Sequence, residues 1–319
     1  MKYLITGAAG FIGFHLARKL CENKKNKVYG LDNFDNYYSV KLKKKRINEL
    51  KKNKNFSFIK IDLIDKKLIK KIEGIKVDII FHLAAQAGVR YTVVNPSKYI
   101  STNIDGFYNL LKYIEISNAK YIFYASSSSI YGDNKNYPVN EKMQPKPKNI
   151  YAFTKVSNEN TAKLFSKLFK KKFIGLRFFT VYGEWGRPDM LIYKYLTSAI
   201  KNKTFHINNH GKDLRDFTYI GDVMNILSIL IQKRKKLKVH DVFNICSNNP
   251  ISTNMIIKNL FVYYKTKLKY EKANDIEMLK THGDNKKIIK TTSFNKFSNF
   301  NEKIIICINW YKKNFKLFI

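Results

Sequence analysis

Short apolar runs rich in β-branched and aromatic residues alternate with longer stretches of helical periodicity through the first half of the chain. Strands are predicted over residues 2–6, 27–31, 56–62, 77–83, 120–126 and 173–178, and helices begin near Phe11, Val40, Lys66, Pro96 and Asn149. Such alternation builds an α/β fold with a doubly wound parallel sheet, because each parallel crossover uses a helix to carry the chain back. After residue 178 the pattern loosens. A helix over 187–200 opens at a proline, a strand follows at 204–207, a helix at 221–233 and a strand at 241–245, with further helices after Ser252 and Asn301. The expected organisation is a sheet domain over residues 1–178, rejoined by segments near 220–245, and a smaller C-terminal lobe making up most of 179–319.

With 319 residues and 45% hydrophobic positions, the chain holds enough apolar material for a packed core, which excludes a disordered protein. Its three cysteines, Cys21, Cys246 and Cys307, are odd in number and widely spaced. They exclude a disulfide framework and a cysteine-based zinc module, and no metal site is expected. No apolar stretch reaches the roughly 18 residues of a spanning helix. The first residues run straight into a strand, leaving no room for a signal peptide. A soluble, cytoplasmic protein with no membrane partner is expected.

The balance of 60 Lys+Arg against 24 Asp+Glu gives a net charge of +36. Nucleic acid is the usual partner of such a charge. Here the basic residues are scattered, only seven are arginine, and Asn, Ile, Phe and Tyr are abundant, as an AT-rich coding bias produces. No nucleic-acid partner is therefore expected, although the charge suits anionic small substrates. In a lysine-rich chain each remaining arginine carries more information, because its planar fork is what lysine lacks. Arg90, Arg177, Arg187 and Arg215 fall inside motif segments.

Gly7-Ala8-Ala9-Gly10-Phe11-Ile12-Gly13 lies between the first predicted strand and the first helix. Glycines at this spacing allow a tight turn, close approach of backbone to a pyrophosphate, and packing of helix on strand; the helix N-terminus adds N–H groups and a positive dipole end. Asp32 ends the second strand about 20 residues on, where a carboxylate accepts hydrogen bonds from a ribose and repels a 2′-phosphate. NAD, rather than NADP, is the expected cofactor. Tyr151-Ala152-Phe153-Thr154-Lys155 opens a helix, so that phenol and ammonium share one face. A nearby cation favours phenolate and so a base near neutral pH. The serine run Ser126–Ser129 ends the fifth strand at the same sheet edge and can complete a Ser–Tyr–Lys set, or merely terminate the strand.

At these residues the chain resembles the extended short-chain dehydrogenase/reductase family, a Rossmann-type fold, and within it the sugar-nucleotide epimerases, the UDP-glucuronate 4-epimerases most fully. The glycine turn, Gly30–Asn33, His82–Tyr91, Tyr124–Gly132, Tyr151–Lys155, Leu176–Gly183, Trp185–Met190, Asn209–Gly211 and Arg215–Ile220 carry the resemblance in the family's order across roughly residues 1–250. The resemblance implies that Gly7, Gly10, Phe11, Ile12, Gly13, Asp32 and Asn33 hold the adenosine diphosphate half of NAD. Asp62 and Leu63 would flank adenine, and Leu83, Ala84 and Ala85 would line the dinucleotide. Tyr151 and Lys155 would contact the nicotinamide ribose, and Ser127 matches the usual catalytic Ser/Thr. Arg187 and Arg215 match positions that grip UDP, and Arg90 would reach either sugar or phosphate.

The implied reaction removes the C4 hydroxyl proton through Tyr151, passes hydride from C4 to NAD⁺, turns the 4-keto sugar, and returns hydride to its other face. The Asp-Glu pair of 4,6-dehydratases is replaced here by Ser128 and Ser129, and the Glu of UDP-glucuronate decarboxylases is missing too. An epimerase needs neither, so conversion of UDP-glucuronate to UDP-galacturonate is the expected activity. The alternatives are UDP-glucose/UDP-galactose 4-epimerase, UDP-glucuronate decarboxylase, or an NAD-binding regulatory protein. Ser128, Ser129 and Thr180 are the expected cradle for the substrate carboxylate, keeping a β-keto acid from losing CO₂. Family members pair as homodimers through the helices near 96–117 and 149–169. Beyond residue 250 the resemblance thins, with His282-Gly283-Asp284 where a Pro-Gly-Asp turn is usual.

Overall fold

The computed structural model describes residues 1–273 and 278–318. Its first half alternates strictly: β1 (Lys2–Thr6), α1 (Phe11–Cys21), β2 (Lys27–Asp32), α2 (Val40–Lys51), β3 (Phe56–Lys60), α3 (Leu68–Ile72) and β4 (Ile79–His82). Next come α4 (Pro96–Ile100), α5 (Gly106–Ile116), β5 (Tyr121–Ser127), α6 (Ile150–Leu168) and β6 (Lys172–Phe178). The second half holds β7 (Thr180–Tyr182), α7 (Leu191–Ile200), β8 (Phe205–Ile207), β9 (Leu214–Tyr219), α8 (Ile220–Gln232) and β10 (His240–Ile245). It closes with β11 (Pro250–Ser252), α9 (Thr253–Tyr263), β12 (Leu268–Tyr270), α10 (Lys286–Thr292) and α11 (Phe300–Asn314).

Seven strands form one parallel sheet in the order β10-β6-β5-β4-β1-β2-β3. Period-two alternation supplies both of its faces. Ile5, Ile79, Phe81 and Phe123 point into the core shared with α1 and α8, while Leu4, Ile80, Ile122 and Tyr124 point into the core shared with α3 and α5. The sheet is thus covered on both sides, a doubly wound α/β arrangement. β10 joins its edge beside β6, and α8 and α10 pack together near that edge. A separate core gathers Tyr193, Tyr195, Leu196, Ile256, Leu260, Phe300, Ile304 and Tyr311 from α7, α9 and α11. The small sheets β11-β9-β7 and β12-β8 lie in this second half.

Helix α7 starts at Leu191 rather than at residue 187. Arg187 and Asp189 form an ion pair in the preceding turn, and Met190 caps the helix from an extended conformation. The strands β7, β9, β11 and β12 and the helix α10 were not predicted from the sequence; β7, β11 and β12, with three residues each, are too short to show a period. The drifted segment around His282-Gly283-Asp284 still docks on β9: the Gly283 N–H donates to Asp216 and the Asp216 N–H to Thr281 Oγ1. Among the described residues no helix is long and apolar enough to cross a membrane, and no group of three or more His, Cys, Asp and Glu is placed to hold a metal.

Candidate active site

Strand order reverses between β1 and β4, which opens a crevice at the carboxyl ends of the strands. The turn after β1 fills its floor. Gly7 sits at φ +73°, and a Cβ there would stand 2.7 Å from the Ala84 nitrogen; one on Gly13 would stand 2.1 Å from the Gly7 carbonyl oxygen. No other residue is accommodated at either position. Gly10 caps α1 without bringing a side chain to its first N–H groups, so they keep their capacity for a phosphate.

A cavity of about 360 Å³ runs along this crevice. Its floor is Gly7, Gly10, Phe11, Ile12 and Gly13, and one end is formed by Asp32, Asn33, Asp62 and Leu63. Leu83, Ala84 and Ala85 extend the wall toward Ser127, Tyr151, Lys155 and Arg187. At the far end the Asp32 carboxylate accepts from the Ala9 N–H (3.0 Å) and the Phe34 N–H (2.8 Å). Burial pushes this carboxyl up, while the Phe34 N–H and the Lys43 charge pull it down. Asn33 donates to Asp62 (2.6 Å), which ties the ends of β2 and β3. A turn whose Gly7 and Gly13 positions admit no Cβ, a helix N-terminus without a side-chain cap and a carboxylate at the β2 end together fit a dinucleotide.

The other end holds the chemistry. Asn149 caps α6 by accepting from the Ala152 N–H (2.9 Å), and this sets Tyr151 in the first turn facing the cavity. Lys155 lies one turn on and is almost wholly buried; its Nζ donates to the Ala125 carbonyl (2.8 Å) and stands 5.9 Å from the Tyr151 ring centroid. Burial lowers the Lys155 pKa to about 8, against the pull of the Glu159 carboxylate. Burial also raises the Tyr151 phenol, and the Ser127 hydroxyl and the Arg187 charge oppose it. Arg187 is thus a cation that favours phenolate, and Lys155 stands near the same ring while bonded to the strand carbonyl.

Ser127 ends β5 and accepts from the Ser129 N–H at 3.1 Å, and its hydroxyl donates to Ser129 Oγ at 3.1 Å. Ser128 and Ser129 are buried in the following turn and do not line the main cavity. Thr180 lines a smaller cavity of about 20 Å³ beside it, together with Phe11, Arg187 and Met190. Beneath the serines lies a buried network. Arg177 donates through Nε (2.9 Å) and Nη2 (2.7 Å) to the two oxygens of Glu159, and through Nη1 to the Tyr131 hydroxyl (2.7 Å). Ser126 donates to the same Glu159 (2.6 Å). Arg177 thus holds the floor of the site and does not reach the cavity.

Arg187 is paired with Asp189, which also accepts from the Tyr37 hydroxyl (3.2 Å). Arg215 is not brought to the cavity: its guanidinium donates to the Leu214 and Leu279 carbonyls and to Asp213. Arg90 is exposed on the short turn Arg90–Val93, outside the cavity wall. Sequence reasoning missed Asp35, Tyr37, Lys43 and Lys98, all of which line the cavity. Lys98 pairs with Asp35 (2.6 Å), and Lys43 is buried with its Nζ 4.3 Å from the Tyr38 ring centroid. One signal was present: Leu42, Lys43, Arg46, Ile47 and Leu50 form a single helical stripe, in which two cations stand among apolar positions.

A model of the NAD dependent epimerase/dehydratase family matches residues 3–246. The chain belongs to this family. The matched span takes in the glycine turn, Asp32 and the Tyr151–Lys155 pair. An uncharacterised protein of Methanocaldococcus jannaschii is 39% identical over 98% of each chain. UDP-glucuronate 4-epimerase 3 of Arabidopsis thaliana is 38% identical over 88% of this chain and 68% of that protein. In three dimensions the epimerase chain superimposes on a UDP-glucuronic acid 4-epimerase from Bacillus cereus, in complex with UDP-glucuronic acid and NAD. The TM-score is 0.92 and the identity 30%, over 98% of this chain and 99% of that one.

Proposed function

We propose that the protein inverts C4 of UDP-glucuronate to give UDP-galacturonate. The observation that carries this reading is one continuous cavity, in which a dinucleotide-type glycine turn and Asp32 meet Ser127, Tyr151, Lys155 and Arg187. The names of the Arabidopsis and Bacillus relatives support the substrate. Gly7, Gly10, Phe11, Ile12 and Gly13 hold the pyrophosphate side of the cofactor, Asp32 and Asn33 its adenosine ribose, and Asp62 and Leu63 its adenine. Leu83, Ala84 and Ala85 line the remainder. NAD held there would supply reversible hydride acceptance at C4.

The rest is done by the chain. Tyr151 Oη takes the proton of the C4 hydroxyl and later returns one, with Ser127 holding the C4 oxygen as its charge changes. Lys155 holds the cofactor ribose. Arg187 exchanges Asp189 for the UDP diphosphate, to which its fork is better matched, and keeps Tyr151 in a positive field. Thr180, beside Arg187 in the smaller cavity, fixes the carboxylate with a neutral donor, and Ser128 and Ser129, buried in the turn behind Ser127, support that hydroxyl. Arg215 and Arg90 stand outside the cavity wall and take no part in holding the nucleotide sugar. Residues 1–178 with 220–245 carry the cofactor, and the remainder of 179–319 the nucleotide sugar; of that span, 274–277 and 319 lie outside the described residues.

We also place the protein in the cytoplasm, as a homodimer. Three reduced, buried cysteines suit a reducing compartment. Tyr108 and Ile116 on α5 and Phe153, Leu164 and Leu168 on α6 are 51–70% exposed and suit a partner copy. Proton NMR of UDP-glucuronate with purified protein, with and without added NAD⁺, tests the activity. UDP-galacturonate is expected. UDP-xylose or a 4-keto pentose would move the reading to decarboxylation, and no product would overturn the substrate.

A further inference from the structure

Arg46 on α2 is fully buried and lines neither of the two cavities described, yet it joins two segments of the site. Its Nη1 donates to the Ala9 carbonyl (2.8 Å) and to the Tyr38 hydroxyl (2.9 Å); its Nη2 donates to the Trp185 carbonyl and to the Gly186 carbonyl (3.2 Å). Ala9 belongs to the glycine turn. Trp185 and Gly186 belong to the segment that carries Arg187 and Asp189. No carboxylate forms an ion pair with Arg46 among the described residues; its charge is met by the Ala9, Trp185 and Gly186 carbonyls and by the Tyr38 hydroxyl and ring, with Asp32 at longer range. Trp185, whose carbonyl it holds, sits at φ +60°, a conformation that costs a non-glycine residue energy unless its surroundings impose it. α1, which starts from the glycine turn, touches the same segment through His15 Nε2 and the Glu184 carbonyl (2.9 Å) and through Phe14 against Trp185.

A planar fork reaching both segments makes their positions interdependent. The carbonyl of Ala9 is held on the α2 side of the turn, and the turn carrying Arg187 is held relative to it. We propose that Arg46 is a positioning residue coupling the dinucleotide turn to the nucleotide-sugar segment, so that a ligand on one site tightens the other. This rests on the reading above that NAD and a UDP-sugar occupy the two segments. Coupling through a shared element is reciprocal and typically amounts to about 5–150-fold. Lysine keeps the charge but presents one compact ammonium, which cannot serve both turns.

The experiment follows NAD release from loaded protein after dilution, by chromatography of the freed dinucleotide, with and without UDP at a concentration shown by calorimetry to saturate each variant. UDP is expected to slow release by about tenfold in the wild type. In Arg46→Lys the slowing is expected to fall below about twofold, and in the control Tyr38→Phe, which leaves both carbonyl contacts, to remain. Retained slowing in Arg46→Lys would overturn the proposal, because UDP would then act by obstruction alone. If Arg46→Lys does not fold, hydrogen exchange on the wild type decides: UDP should slow exchange of the amides of residues 7–13, and unchanged exchange would refute the coupling. Failure of UDP to bind the wild type at all would instead remove the nucleotide-sugar reading.

Discussion

Replacing Glu159 by Gln removes the negative member of the buried pair beneath the serine block while keeping its shape. The side chains of Arg177 and Glu159 are 5% and 9% exposed, and the carboxylate accepts three hydrogen bonds, two from Arg177 and one from Ser126. With Gln, the guanidinium stays buried without a counter-charge, and only one amide oxygen faces three donors. Breaking such a pair from one side costs about 3–5 kcal/mol. With about 2.1 cal/mol/K of unfolding entropy per residue over 319 residues, each kcal/mol moves Tm by roughly 1.5 °C, so Tm should fall by roughly 4–8 °C in a thermal melt. Replacing both partners by apolar residues, Glu159→Leu with Arg177→Met, should recover most of the loss. The charge also bears on catalysis. Glu159 raises the Lys155 pKa, so its removal should lower that pKa further below about 8, and the alkaline limb of kcat/KM should move to lower pH. A fall in Tm under 2 °C with an unmoved alkaline limb would refute the argument, since the pair would then be solvent-screened.

Three further outcomes are expected. Tyr151→Phe should lose about 10²–10⁴-fold in kcat while chromatography of the denatured protein still finds bound NAD, because the phenol supplies the proton transfer and the glycine turn holds the cofactor. Arg187→Gln removes a charge that holds the Tyr151 phenol down, so the acid limb of kcat/KM should move to higher pH as KM for the UDP-sugar rises; an unmoved limb would contradict the assigned field. Thr180→Val should increase the share of decarboxylated product seen by NMR, and unchanged product purity would remove Thr180 from the carboxylate cradle.

Fold and cofactor site were legible because their signals are local. The alternation of Leu4 with Ile5, and of Ile79 and Phe81 with Ile80, is readable at period two and by itself demands a sheet covered on both faces. The glycine turn is readable because Gly7 and Gly13 stand where a Cβ meets backbone at under 3 Å, so their spacing follows from the geometry. The helix starts at Val40, Pro96 and near Asn149 were marked by side chains that cap them, Ser39, Asn95 and Asn149. Short second-half elements such as β7 and β11 carry three residues each, too few for any period to show.

The sequence determined which groups the protein possesses: a glycine turn ahead of a helix, a carboxylate at the end of β2, and a tyrosine and lysine one helical turn apart. Tertiary structure alone decided how its cations are used. Arg177 lies in a motif yet pairs with Glu159 below the site, Arg215 turns to backbone carbonyls outside the cavity, and Arg46, in no motif, ties two turns together. The reason is physical. Helical spacing places a side chain on a face, but a buried guanidinium acts on whatever carbonyls and carboxylates other segments bring to that face, and these are fixed only when those segments pack together.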